Sequence, residues 1–204
     1  MRDTTVGVRR GRAPGYRGGM ALFRSRLPAA QLELARRTVG EKAVAGTRVE
    51  FLLGDAAPRD DVRVEDLPER WALATAHHVV VERDGDPLVR RWCDVDHAAV
   101  DAQVNVLTVR WADGTPPTRL HLVDRAPQAF ARTLRERVVA SVVHRESADL
   151  PGGGTVRVAI RRDEHDELFS EVLGDGRLDL ADPATRAVVE ATEARARSAV
   201  GLPL

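Results

Sequence analysis

The sequence predicts an α+β fold: a curved antiparallel β-sheet closed at one end by an amphipathic helix, then a β-hairpin and a second helix. Three observations predict it. Short β-branched and aromatic runs between Trp71 and Val123 are separated by Asp-Gly turns, the signature of a meander of antiparallel strands. From Pro127 to near Val143, Phe130, Leu134, Val138 and Val142 recur every four residues, with Arg132, Arg135 and Glu136 turned away, which is one apolar stripe of a helix. Thr155 to Arg161 alternates Val156, Val158 and Ile160 against Arg157, Ala159 and Arg161, the period of a half-buried strand. A sheet with one apolar face has to hide it, and the helix stripe covers what the strands cannot cover for one another.

The chain divides into four parts. Residues 1–27 hold Arg2, Arg9, Arg10, Arg12, Arg17, Arg24 and Arg26 against Asp3 alone, a net of +6 that leaves 24 basic and 30 acidic side chains in the other 177 residues. This Gly-rich stretch reads as a disordered basic arm, or as a leader to a protein that starts at Met20 rather than Met1. It could touch the phosphates of lipid or nucleic acid, but Tyr16 and Phe23 are its only aromatics for stacking. Residues 28–45 are a short helix and linker: Ala29–Val39 places Leu32, Ala35 and Val39 near one face, and Gly40 can stop it. Residues 46–144 hold the sheet and its helix. Residues 145–204 are a hairpin and helix too small to stand alone, so they are expected to dock on the preceding domain.

In the third part, Gly46 ends a turn and Thr47–Leu53 is the first strand. Gly54 to Arg70 carries six carboxylates against three arginines, with a short strand suggested by Val62 and Val64. Strands follow at 71–74, 79–82, 88–92, 98–102, 106–111 and 118–123. Arg83-Asp84-Gly85-Asp86 makes a tight turn, because Gly accepts the positive φ that a two-residue hairpin needs; Asp113-Gly114 makes another. In the fourth part, Arg145–Leu150 reads as a polar link and Gly152–Gly154 as a turn. Thr155–Arg161 pairs with Leu168–Leu173, and Gly174 and Gly176 break that run. A helix starts at Asp182-Pro183, where Asp can cap free N–H groups and Pro fits the first turn. It continues through Ala187, Val188, Ala191 and Ala194 and meets Gly201.

Thr75-Ala76-His77-His78-Val79-Val80-Val81, the Arg-Arg-Trp-Cys-Asp-Val run at 90–95, Leu107-Thr108-Val109 ahead of Asp113-Gly114, and the helix after them resemble the bacterial pleckstrin-homology-like (PH-like) domains, in particular uncharacterised actinobacterial members. The resemblance covers about residues 46 to 144 and departs from the pattern at Ala76 and His77, where relatives often carry Asp and Arg. It implies a PH-like sheet or barrel capped by its C-terminal helix, and a binding rather than a catalytic role. PH domains that bind phosphoinositides use basic side chains around the loop joining their first two strands. Here that segment, Gly54–Arg70, nets −3, so a polyanionic headgroup would be repelled and phosphoinositide binding is not expected.

Composition sets the outer limits. At 43% hydrophobic and 30% charged, the chain matches soluble globular proteins. Lys42 is its single lysine beside thirty arginines, which reads as GC-rich coding rather than a demand for guanidinium chemistry. Cys93 is alone, so no intrachain disulfide can form and a reducing cytoplasm is the expected location. No apolar run approaches the length of a membrane span, and no apolar stretch backs the N-terminal arginines as a secretory signal would.

No catalytic residue, cofactor or metal site is assigned. Cys93, Asp94, Asp96 and His97 invite a metal or nucleophile reading, but zinc sites want four ligands, and in an extended segment Cys93 and Asp94 point to opposite faces. Cys93 as an apolar filler and the two aspartates as loop residues is the plainer account. Adjacent His77 and His78 face opposite ways in a strand; polar turn residues explain them better than a pH sensor. The carboxylates at 163, 164, 166 and 167 flank an exposed turn. Trp71, Trp92 and Trp111 are core anchors, at least two of the three. The preferred expectation is a non-enzymatic interaction module that binds a protein partner or itself. A membrane or nucleic-acid binder acting through the arm is the alternative, and a small metal-dependent hydrolase around Cys93, Asp96 and His97 the third.

Overall fold

The computed structural model describes residues 27–58, 63–124, 127–174 and 178–203. The basic arm through Arg26, Val62 and Gly176 lie outside them. Two antiparallel sheets carry the chain. The first has seven strands: β1 (Ala45–Leu52), β2 (Trp71–Ala74), β3 (His78–Val81), β4 (Leu88–Arg91), β5 (Val95–Asp101), β6 (Val106–Trp111) and β7 (Thr118–Leu122), in the order β4-β3-β2-β1-β7-β6-β5. The second has three, β8 (Val142–Asp149), β9 (Thr155–Arg162) and β10 (Leu168–Gly174), with β9 in the middle. Three helices cover them: α1 (Ala29–Val39), α2 (Gln128–Ser141) and α3 (Pro183–Ala199).

β1 is where the large sheet bends. Its first half, Ala45–Arg48, pairs with β2, and its second half, Val49–Leu52, pairs with β7. The strand order therefore reverses about a shared strand, and the two flanks face one another across the core. The sheet is not a closed barrel: β4 and β5 are its free edges. Side chains reach across instead. Arg90 of β4 lies 5.2 Å over the Trp111 ring and pairs with Asp113 at 2.9 Å in the β6–β7 turn, so side chains tie the two flanks where no ladder joins them.

The inner face holds Val49, Ala72, Val81, Trp92, Leu107, Trp111 and Leu120, and Phe130, Leu134 and Val138 of α2 plug it. Trp92 and Trp111 are core anchors as expected, and each indole N–H has an acceptor: Trp92 donates to the Thr75 carbonyl at 3.3 Å, Trp111 to Thr118 Oγ1 at 3.1 Å. Trp71 is half-buried on the outer face, where α1 packs on Leu73 and Val80 through Ala35, with Leu32 and Val39 beside it. The helix at 28–45 thus belongs to the same body as the sheet. Gly46 makes no turn: it lies inside β1, where a Cβ would stand 2.8 Å from side-chain carbons of Leu27 and Leu73, so a larger residue would make those leucines shift.

Several expectations are corrected. α2 ends at Ser141, and Val142 begins β8. The stretch read as a polar link is therefore a strand, paired with β9 from Val142 to Asp149; its half-buried residues are His144, Glu146 and Ala148 on one side, too polar to betray a strand by alternation. Val64–Asp66 is a turn of 3-10 helix rather than a strand. The loop between β3 and β4 runs over residues 82–87, longer than a two-residue hairpin, with Gly85 at φ +83°. In β9 both faces are covered: Val158 and Ile160 pack on Ala196 of α3, while Ala159 and Arg161 on the opposite face are buried too.

α3 begins as expected, Asp182 accepting from the amides of Ala184 and Thr185. Its buried stripe is Thr185, Val189, Thr192 and Ala196; Ala187 and Ala191 are exposed. The two buried threonines are affordable because each hydroxyl is bonded, Thr185 to Asp182 Oδ2 and Thr192 to the Val188 carbonyl, both at 2.7 Å. Among the described residues no helix is long and apolar enough to cross a membrane.

Candidate functional site

Each cluster singled out in the sequence acquires a partner. His77 and His78 stand at the β2–β3 corner, and instead of facing opposite ways both approach Glu41, the residue after the α1 C-cap, with Nδ1 atoms 3.6 and 3.1 Å from its Oε1. Partial burial pushes the Glu41 carboxyl up, but the Thr75 hydroxyl, the His77 amide and the two imidazoles together hold it below its ordinary value. This corner ties α1 to the sheet.

Trp92–Asp94 is a turn of 3-10 helix rather than extended chain. It brings Cys93 Sγ within 3.9 Å of Asp94 Oδ1, where an extended segment would have separated them. Asp94 holds the Arg91 guanidinium at 2.8 Å, and Arg91 reaches Glu164 of the β9–β10 turn at 3.2 Å. This bridge is what docks the hairpin turn on the first sheet. Asp163 caps the turn, accepting from the amides of His165 and Glu167, and Asp166 pairs with Arg162. A cleft of about 150 Å³ lies between this turn, His77 and the end of α2, with Cys93 in its wall. Cys93 is buried, and burial pushes its thiol up to about 11. A thiol held protonated is a poor nucleophile and a poor ligand.

The structure scatters the rest of that constellation. Asp96 is the extra residue of a β-bulge between Val95 and His97, which aims it at Arg157 of β9, 3.4 Å away. His97 is exposed. Among the described residues, no three His, Cys, Asp or Glu side chains are grouped to hold a metal ion.

Another concave surface was not singled out in the sequence. An open groove of about 640 Å³ runs between β5 and α2, floored by Ala98, Val100, Leu134 and Val139 and edged by Arg132, Arg135 and Arg145. Val139 is 63% exposed and Val100 40%. Among the described residues β5 ends the sheet and pairs only with β6, so its outer edge has no ladder partner there and presents backbone N–H and C=O groups beside the groove. One signal in the sequence could have located it: Val139 is an apolar residue off the buried stripe of its helix.

No protein-family model matches the chain, and no curated protein matches it. Among solved structures it is similar to the C-terminal domain of an unknown protein from Leishmania infantum, at 12% identity and a TM-score of 0.39, over 53% of this chain and 95% of that one.

Proposed function

We propose that the chain is a PH-like, non-enzymatic interaction module that takes an extended segment of a partner protein along β5 and into the groove beside α2. The reading rests on one observation: an unpaired strand edge lies next to an apolar groove with exposed Val100 and Val139. Main-chain bonds to such an edge supply affinity, and a side pocket reading every second residue supplies specificity. The arginines at the rim favour a segment with acidic residues. Support for the PH-like reading comes from the strand order about a shared β1 and from the helix that follows β7.

The test compares the native chain with Val139→Asp, which puts a charge in the groove floor at an exposed position. Pull-down with mass spectrometry, and light scattering for self-association, should find a partner or oligomer that the variant loses. A partner that the variant keeps, or no partner and no oligomer at micromolar concentration, overturns the proposal.

A further inference from the structure

A second cavity, of about 300 Å³, opens on the face of the three-stranded sheet turned away from α3. Its walls include Asp96, Arg145, Ser147, Arg157, Arg161 and Leu173. The register explains why these meet. Arg145 lies opposite Ala159 and Ser147 opposite Arg157, while Glu171 and Leu173 take the same two places on the other side. Cross-strand partners share a face, so three arginines crowd onto one side of one small sheet.

The carboxylates nearby already have partners. Asp96 pairs with Arg157 at 3.4 Å, Glu146 with His144 at 2.9 Å, and Glu171 accepts from Arg161 Nε. What remains is donor capacity. Arg161 is 1% exposed, and its buried Nη1 meets no hydrogen-bond acceptor. Arg145 is exposed and makes no ion pair among the described residues. Buried donors are almost always satisfied, and a charged one left unmade is expensive. A cavity lined by Arg161, whose buried Nη1 is orphaned, and by Arg145, a second guanidinium with no ion pair among the described residues, suits an acceptor that carries negative charge.

We propose that this cavity binds a small oxyanion group, phosphate or carboxylate, between Arg161 and Arg145, with the Ser147 hydroxyl as a further donor and Leu173 limiting its size. The site stands apart from the peptide reading: its donors lie on β8 and β9, and it needs no partner protein. Asp96 and Arg145 line both this cavity and the β5–α2 groove, so small probes are required to separate the two.

The experiment is calorimetric titration of the full chain with inorganic phosphate and, separately, acetate, alongside NMR of the arginine Nε–Hε resonances. At least one probe should bind and shift the Arg161 signal, and high chloride should weaken it by screening. Arg145→Ala removes an exposed side chain that has no ion pair among the described residues, and should leave the melting curve in place. It should weaken binding about tenfold or more, the loss of one charge-assisted hydrogen bond. Phosphate binding without acetate binding, or the reverse, assigns the class within the proposal. Val139→Asp should bind the probe normally, which keeps this result distinct from failure of the groove reading. No heat and no Arg161 shift at millimolar probe would mean that water alone fills the cavity, and would overturn the site. Equal binding by Arg145→Ala with an unmoved Arg161 signal would overturn it too.

Discussion

In the seven-stranded sheet, the face under α2 is hidden with Trp92, Trp111, Leu120 and Phe130. In the three-stranded sheet, the face away from α3 hides Arg161 against Glu171. The first solution is non-directional: apolar area leaves water, and the cost of a wrong shape is a cavity. The second is directional, because a buried guanidinium needs its acceptors in place and is costly when one is missing. The difference follows from size. A seven-stranded sheet that bends on itself can enclose a core, whereas three strands have one helix to offer and must leave their other face to polar chemistry.

Substitutions can break that contrast. Phe130→Ala, in the plug of the large sheet, should cost about 3–5 kcal/mol of unfolding free energy by urea titration. A much smaller loss would mean that α2 is a lid on the sheet rather than part of its core. Glu171→Ala should cost about 3 kcal/mol, because it strands the Arg161 charge. The double replacement of Arg161 and Glu171 by Met should recover most of that loss. If the double variant is as unstable as the single one, the pair is not what hides that face.

Much of the large sheet was legible in the sequence, and so was the β9–β10 hairpin of the small one; β8 was not. α1 and β6 were read with their bounds, and the α2 stripe with its three plugging residues, because apolar periodicity and Asp-Gly turns carry those elements locally. β8 was read as a link because neither of its sides is apolar; it is a strand only because β9 needs a neighbour. α3 was read from its Asp182-Pro183 start, but its buried stripe was not, since counting apolar residues passes over two threonines whose hydroxyls are bonded at the cap and within the helix. Arg161 was placed outward by the same rule, which has no term for a charge with a partner ten residues away. The groove beside β5 is tertiary: Val100 and Val139 are far apart in the chain, and neither advertises the other.

Smaller effects sharpen the comparison at the edges. The Glu41 carboxyl is held below its ordinary value, so its contribution is present above about pH 4.5, where the unfolded group ionises, and is lost as pH falls through its folded value. Hydrogen exchange should show α1 amides losing protection in that acid window before those of β1 and β7. Simultaneous loss would make the histidine corner incidental to the docking of α1. Smallest is Cys93. Its thiol, pushed up to about 11, should react with a disulfide reagent at pH 8 far more slowly in the native chain than in urea. Equal rates would show that the corner joining the two sheets opens readily.

α2 runs into β8 with nothing between them: Val142 is both the residue that ends the helix and the first of the strand. The seat of the rod in one sheet and the set of the plate in the other are thus decided within a single residue, next to the register shift between Val142 and His144.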